Sequence, residues 1–439
     1  MRAAIATVCP LFAALIVLAA PRLAAAQPST EPNSCATCHA ALPEQRLAAP
    51  ARAFSASDVH RDKGFRCVDC HGGNPTASDK AKSHDVAGRD SAMAFRGKPA
   101  GSEIIATCAR CHSDAEIMRR FAPKQRVDQA AEYATSVHGK RLAAGDAKVA
   151  TCATCHGAHG IRLVSDAKSP VFPTNVAGTC ASCHANAEHM AGYKLADGGA
   201  LPTTQLADYQ KSVHYAALTK GNDLSAPTCN DCHGNHGAVP PGVGSIVNVC
   251  GTCHAVFAQK FEGSVHQQIF DKGCVECHSN HAVLKTSDEM LGTTGHAICA
   301  TCHSGNDDAG AAGAEKMRGG IERLKAAVER SSALIARIRN AGIEVSDDEL
   351  ALRETTTKLT LARTEMHSAK PAAVDAVLAD GEKIVAEVDR NGDRGLAELA
   401  YRRRGLALSL GAILLVVVGI VLKLRQIDRR HAGQSEWRQ

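Results

Sequence analysis

The sequence predicts a mainly α-helical protein with much irregular structure, in which a motif-rich region precedes a helical bundle and one C-terminal transmembrane helix. Three observations lead to this expectation. Cys-x-x-Cys-His motifs recur over the first two thirds of the 439 residues, among many prolines and glycines. A cysteine-free stretch follows, in which apolar residues have the 3–4 spacing of amphipathic helices. Residues 405–422 then carry no charge and are long enough to span a bilayer.

Nine Cys-x-x-Cys-His motifs occur in the chain. This pattern is typical of c-type haem attachment, in which two thiols bond to the porphyrin and the next residue, a neutral imidazole, binds the iron. Structural zinc sites also use Cys-x-x-Cys pairs, but they do not require a histidine after each second cysteine. We therefore predict nine covalently attached haems c. The attachment cysteines would be Cys35, Cys38, Cys67, Cys70, Cys108, Cys111, Cys152, Cys155, Cys180, Cys183, Cys229, Cys232, Cys250, Cys253, Cys274, Cys277, Cys299 and Cys302. The proximal ligands would be His39, His71, His112, His156, His184, His233, His254, His278 and His303.

The motifs are arranged in copies that also repeat further histidines. The clearest copies run from Cys108 and from Cys180, and each has two motifs, a Ser-Val-His triplet between them and a Gly-x-His-Gly segment after the second. A shorter copy begins at Cys250 and a looser one at Cys35. One single motif, from Cys299, is left over at the end.

The histidines outside the motifs are candidates for the second axial ligand of each iron. The chain has 21 histidines, and ten non-motif ones fall in the haem region. His189 is in excess because it alone does not repeat, so nine candidates match nine irons and predict bis-histidine ligation. His159, His236 and His281 follow a proximal histidine by three residues, too few to pass around the same haem, so we expect each to bind a neighbouring haem. The distal candidates are His60, His84, His138, His159, His214, His236, His266, His281 and His296, with His296 assigned to the single last motif.

Three further side chains are interpreted as structural. Met118 and Met190 recur in register and could be axial ligands, but core methionines on helices are the favoured interpretation. His367 lies beyond the haem region and is interpreted as a polar helix residue.

The N-terminal residues 1–26 resemble a secretory signal peptide, with Arg2, an apolar run and small residues before Gln27. Export agrees with covalent haem, which bacteria attach outside the inner membrane. Aromatic residues make up only 3% of the chain, and nine macrocycles would supply the missing apolar bulk. The net charge of +5 is small for this length, so no nucleic-acid site is expected.

The haem domain would cover residues 27–305 and a helical bundle or stalk residues 306–395. In the bundle, Asn340 lies where a first helix should end, Pro371 precedes a third helix, and Asn391-Gly392 should end that helix. Two roles remain open for this region. It is either a spacer that packs on itself or a surface for homo-oligomerisation or partner docking.

Residues 405–422 are predicted to be a transmembrane helix. Basic residues flank it on both sides, so the distribution of charge does not orient it. The signal peptide does, because it sends the haem domain to the periplasm and leaves the tail, residues 423–439, in the cytoplasm. We expect a bacterial inner-membrane protein with a single C-terminal span.

The repeated pattern over about residues 30–305 resembles the doubled-CxxCH multihaem c-type cytochromes, including the NapC/NrfH quinol dehydrogenases and the octahaem hydroxylamine oxidoreductase group. The resemblance implies covalent haem c and electron transfer between membrane quinol-oxidising proteins and other redox proteins. The chain differs from NapC/NrfH in having its predicted anchor at the C-terminus, and it lacks the CxxCK motif of the NrfA-like nitrite reductases.

These expectations favour an electron-transfer protein over a catalytic oxidoreductase, because six-coordinate iron has no open position for a substrate. Electrons would come from a quinol-oxidising membrane partner and leave to periplasmic acceptors, as in anaerobic respiration. The alternative is a reductase or oxidase of small nitrogen or sulfur compounds, such as hydroxylamine, nitrite or tetrathionate, at one open haem. No catalytic residue is assigned in either case.

Overall fold

The computed structural model describes residues 33–85, 94–195, 197–240, 246–305 and 307–435. Helices joined by irregular segments make up these ranges, where β-structure is limited to an isolated bridge between Lys194 and Ala200. The predicted fold class is confirmed. The predicted signal peptide, residues 1–26, lies outside the described residues, as do residues 436–439 of the predicted tail.

The chain divides into two compact units. The first comprises Met1–Leu206 and Asn222–Val239, and the second comprises Ala207–Gly221 and Pro240–Gln439. The first six motifs therefore belong to one unit, and the last three motifs belong to the other together with the helical region.

The helices before the bundle are short, with 4–12 residues each. They are α1 (Ser34–Ala41), α2 (Gln45–Ala56), α3 (Val59–Asp62), α4 (Cys67–His71), α5 (Lys80–Ser83), α6 (Ser102–His112), α7 (Ala115–Phe121), α8 (Gln129–Thr135), α9 (Val137–Ala143), α10 (Cys152–His156), α11 (Pro173–His184), α12 (Ala187–Met190), α13 (Gln205–Tyr209), α14 (Val213–Thr219), α15 (Cys229–His233), α16 (Ile246–Gly251), α17 (Ala255–Glu262) and α18 (Val275–His278). Single 3₁₀ turns cover His266–Gln268, Asp288–Met290 and Ile298–Thr301.

Three long helices form the bundle of the second unit: α19 (Ala309–Asn340), α20 (Ser346–Glu365) and α21 (Pro371–Ser435), with a 3₁₀ turn at Met366–Ser368. The 3–4 spacing of apolar residues gives each helix one apolar face, and these faces meet. Ile321, Leu324 and Val374 are completely buried in this core. The bundle therefore has the side-chain core of an ordinary helical domain.

The third bundle helix does not end at Asn391-Gly392, contrary to the sequence-based expectation, but runs on to Ser435. The Asn391 side chain donates a 2.8 Å hydrogen bond to Asp348 on α20, and a Cβ on Gly392 would clash with the side chain of Leu334 on α19. These residues serve close packing of helices rather than a helix end. The apolar part of α21 is exposed and long enough to cross a membrane, so it is compatible with a single span.

Candidate functional site

The second motif of each early copy forms a helix of its own, α4, α10 or α15, that begins at the first cysteine. The residue before it donates its backbone N–H to the third motif residue, as Arg66 does to Asp69 at 2.6 Å and Thr228 to Asp231 at 2.8 Å. The residue after the histidine has a positive φ, which favours glycine. These glycines, with φ of 69°, 82° and 86°, are Gly72, Gly157 and Gly234. Glycine therefore follows the histidine of each of these motifs, because the backbone there has a positive φ that other residues rarely adopt.

In two of the Ser-Val-His triplets, the serine is a helix N-cap. Ser136 and Ser212 are buried, and their hydroxyl oxygens accept the backbone N–H groups of Gly139 at 2.9 Å and Tyr215 at 3.0 Å. Asp58 has the same position in the first copy. The cap therefore places the histidine of each triplet in the first turn of a helix, at a defined angle to the chain.

Consecutive copies are joined by a repeated backbone hydrogen bond. The valine of a triplet donates its N–H to the carbonyl two residues after the last histidine of the next copy. The three bonds are Val59 to Ile161 at 2.8 Å, Val137 to Ala238 at 3.0 Å, and Val213 to Val283 at 2.8 Å. The two kinds of distal candidate, triplet and Gly-x-His, are therefore held side by side.

Eight pairs of histidine rings among the described residues face each other with centres 5.9–6.3 Å apart. A coordinated imidazole binds its metal at about 2 Å, and each ring centre lies about 1 Å further out, so two imidazoles on one ion have centres about 6 Å apart. Each pair also combines one motif histidine with one histidine from elsewhere. The residues present thus fit a haem iron held from both faces.

The pairs fall into two groups by the angle between their rings. Five pairs that contain the first motif of a copy, or the single last motif, are inclined by 39–89°: His39–His84, His112–His60, His184–His138, His254–His214 and His303–His266. Three pairs that contain a second motif are nearly parallel, at 7–19°: His71–His159, His156–His236 and His278–His367. The angle therefore distinguishes two kinds of histidine pair.

The pairing crosses the copies in a regular way. A triplet histidine, such as His138, faces the first motif of the following copy, at His184. A Gly-x-His histidine, such as His236, faces the second motif of the preceding copy, at His156. His159 and His236 thus each face a motif histidine of another copy. That these two histidines and His281 bind a neighbouring haem stays a prediction.

Two positions differ from those that the sequence suggested. The last motif, at His303, faces His266, whereas the sequence assigned this iron to His296, which is exposed in a turn. His278 faces His367, which the sequence placed outside the haem region. The sequence did contain a signal for His367, because no doubled copy follows the one that ends at His278 and could supply a Gly-x-His histidine to face it. That signal is recognisable only once the pairing between copies is known. His189 is partly buried on α12, and Met118 and Met190 are buried on their helices, as expected of core residues.

Carboxylates orient one histidine at two of these pairs. The buried Asp58 accepts a 3.1 Å hydrogen bond from Nδ1 of His60, and Asp308 lies 3.1 Å from Nδ1 of His303. Such a bond fixes the tautomer with Nε2 free for a metal and makes the imidazole a stronger donor. Burial acts to raise the pKa of Asp58, but hydrogen bonds from His60 and from the N–H of Ile161 outweigh it and lower the pKa.

Half of the sixteen paired rings have surroundings that favour the neutral form. Burial, together with the neighbouring histidine of like charge, lowers the pKa of these imidazoles below the ordinary value. The neutral ring is the form that binds a metal. The histidines with a lowered pKa are His112, His138, His156, His159, His184, His214, His266 and His278.

The first cysteines of the two motifs in a copy touch. Hydrogen bonding with Cys152 raises the pKa of the Cys108 thiol and lowers that of Cys152 to about 7. The same contact joins Cys180 with Cys229 in the first unit and Cys250 with Cys274 in the second. Attachment points that are consecutive in sequence therefore lie side by side within each copy.

The comparisons with known proteins agree with this site. A family model described as "Doubled CXXCH motif" matches residues 266–308, which contain the last two motifs. The searches of curated proteins and of solved structures gave no match. Within the described ranges, no group of three or more His, Cys, Asp or Glu side chains is arranged to hold a metal ion. The chain thus has the doubled motif of multihaem c-type cytochromes, which indicates covalently bound haem c and electron transfer.

Proposed function

We propose that this protein is a membrane-anchored nonahaem c-type cytochrome that carries electrons from a quinol-oxidising membrane partner to periplasmic acceptors. The observation that carries the proposal is the set of histidine pairs about 6 Å apart, each with one ring from a Cys-x-x-Cys-His motif. A bound haem c supplies one-electron exchange at its iron. Two imidazoles per iron leave no position for a substrate, which favours a carrier.

The protein's own residues support a stepwise order of attachment sites. Cys108 and Cys152 touch within one copy. Burial raises the pKa of the Cys155 thiol, and the nearby Cys183 of the next copy adds a smaller increase. In the second unit, Cys277 is close enough to Cys299 for the same secondary effect, again after burial. We infer that, within each unit, neighbouring motifs in the sequence are also neighbouring sites along the path of the electron.

The long C-terminal helix supports the membrane part of the proposal. Its apolar residues, such as Leu408 and Leu415, are 77% and 75% exposed, which a soluble helix of this length would not tolerate in water. Insertion in a bilayer removes this cost. Periplasmic location of the haem domain rests on the signal peptide and on the site of haem attachment in bacteria.

The bundle is proposed as a spacer that packs on itself between haem region and membrane. Its helices bury their apolar faces against one another, in cores around Leu324 and Ile338. Equal oligomeric states with and without the bundle would agree with a spacer. Loss of a dimer on its removal would favour the oligomerisation role instead.

The proposal is tested by haem analysis and electron paramagnetic resonance of the detergent-solubilised protein. Peptide mass spectrometry should find haem on nine motifs, and the oxidised protein should show low-spin ferric haem throughout. A high-spin ferric signal that corresponds to one haem would contradict the all-bis-histidine proposal. It would favour the alternative of a reductase or oxidase, to be followed by turnover of hydroxylamine, nitrite or tetrathionate with a dye.

A further inference from the structure

We infer that His367, in the turn between α20 and α21, is the second axial ligand of the haem attached at Cys274 and Cys277, with His278 on the opposite face. The inference rests on the proposed function and extends it. It means that the helical bundle completes a haem site and is not only a spacer.

The geometry of the pair is that of a second-motif site. The ring centres of His278 and His367 are 6.1 Å apart, and their planes differ by 19°. The other two second-motif pairs have 5.9 and 6.1 Å with angles of 7° and 11°, whereas pairs with first motifs or the last single motif are inclined by 39° or more. His367 thus has the relation to its partner that His159 and His236 have to theirs.

The pairing rule explains why a histidine from the bundle is needed here. In the early copies, a second-motif histidine faces the Gly-x-His segment of the following copy. The copy that ends at His278 is followed only by the single motif Cys299–His303, and the residue three positions after His303 is an asparagine, Asn306. No haem motif can therefore supply the ligand, and the chain beyond the haem region supplies it.

The local structure orients the ring of His367 for binding a metal. Its Nδ1 lies 3.1 Å from the carbonyl oxygen of Thr364, so Nδ1–H donates there and Nε2 is the free nitrogen. Phe257 packs edge-on against the ring, with centres 5.1 Å apart. The turn ends at Ala369, whose φ of 53° reverses the chain before α21 begins at Pro371. The ring is therefore held by Thr364 and Phe257, and the chain reversal at Ala369 fixes the turn that carries it.

Two ion pairs fasten the same turn to the haem-binding segment. Lys260 of α17 lies 2.7 Å from Glu365, whose side chain is 15% exposed. Arg363 donates two 2.8 Å hydrogen bonds to Asp288, one to each carboxylate oxygen. The residues on the N-terminal side of His367 are thus tied at two points to the segment that contains the motif, which is the rigidity an axial ligand requires.

The test compares His367→Ala with His296→Ala in the full-length, haem-loaded, detergent-solubilised protein. His296 is the matched control because the sequence assigned it to an iron, yet it is exposed in a turn. We expect His367→Ala to convert one haem to high spin in the oxidised protein and added imidazole to restore low spin. We expect His296→Ala to leave every haem low-spin.

A second variant covers the case that His367→Ala does not fold. His367→Met keeps a ligand of similar length, and we expect a methionine-to-iron charge-transfer band and a higher reduction potential for one haem. The inference is overturned if neither folded variant changes the spin state or ligation of any haem, or if His296→Ala produces the high-spin haem instead. Absence of haem from the Cys274–Cys277 peptide of the wild-type protein would instead contradict the proposed function at this motif.

Discussion

The helical bundle and the first unit differ in how much apolar side-chain surface they bury. The bundle consists of α19, α20 and α21, and the first unit contains six of the motifs. Ile321, Leu324 and Ile338 are 0–1% exposed in two clusters of packed apolar side chains. In the first unit, the described buried apolar side chains are small or unbranched: four alanines, two valines and two methionines. Its buried polar residues include the helix caps Ser136 and Thr151. Side chains form the core of one region, and we expect the other to depend on haem attached to its motifs.

The comparison shows what a short repeat can encode. In a copy of about 70 residues, many positions are occupied by helix caps, turn glycines and candidate ligands, and these residues bury little apolar surface. Macrocycles attached to the motifs would supply that surface. The low aromatic content of 3% fits this division of labour.

The largest expected effect is the loss of structure without haem attachment. In a chain whose motif cysteines are all replaced by alanine, we expect residues 94–195 to exchange amide hydrogens as an unfolded chain does, because they bury only a few small or unbranched apolar side chains. Residues 309–395 should stay protected. Hydrogen exchange with mass spectrometry checks both, with the haem-loaded protein as control. Equal protection in the two regions would show that the first unit does not depend on haem attachment for its structure.

A cavity in the bundle should be the next largest effect. Leu324 is completely buried, so Leu324→Ala should lower the free energy of unfolding of the bundle by about 2–5 kcal/mol. Denaturant unfolding followed by far-UV circular dichroism measures it. Glu329→Ala, an exposed change on the same helix, should change it by less than about 0.5 kcal/mol. Similar values for both variants would contradict a packed core.

A smaller effect is expected on one haem of the first unit. Asp58 is 2% exposed and accepts a hydrogen bond from His60, where the later copies have serine. Asp58→Ser removes a negative charge that stabilises the ferric state, so the potential of the haem between His60 and His112 should rise. For one electron, about 60 mV corresponds to a tenfold change in the equilibrium constant, and we expect a rise of this order. Redox titration measures it.

The matched control for that variant is Asp62→Ser. Asp62 is exposed and pairs with Arg61, so its replacement should leave all potentials nearly unchanged. A potential unaffected by Asp58→Ser would mean that the hydrogen bond only fixes the ring.

The smallest effect concerns the ion pair beside His367. The hydrogen bond from Arg363 lowers the pKa of Asp288 despite burial. Because the pKa of Asp288 is lower in the folded state than in the unfolded chain, the ion pair stabilises the fold at pH values above the ordinary pKa of 3.8. This stabilisation is lost as the pH falls through the folded-state pKa. Arg363→Met should therefore cost about 0.5–1 kcal/mol at neutral pH, since Arg363 is partly exposed.

The pH dependence is the check on that pair. The difference in unfolding free energy between wild type and Arg363→Met should shrink toward zero in acid. Lys383→Met, which breaks an exposed pair with Asp380, should have no measurable effect at any pH. A difference that persists at low pH would show that Arg363 acts through packing of its stem.

The sequence by itself determined the local chemistry. Each Cys-x-x-Cys-His motif contains its attachment points and its first ligand within five residues, and spacing alone showed three amphipathic helices and an apolar C-terminal run. Caps such as Ser212 and the glycine after His233 are also local, because each acts on the chain within three residues. These features are visible in any short window of the sequence.

Only the tertiary structure decided which rings face one another. A count of histidines suggested His296 for the iron of the last motif, but the motif histidine His303 faces His266. The ring opposite His278 belongs to His367, 89 residues along the chain. It also showed that Asn391-Gly392 lies within one helix, because its neighbours Asp348 and Leu334 come from two other helices. Pairing across the chain depends on the path of the backbone, and the spacing of residues along the sequence does not contain that path.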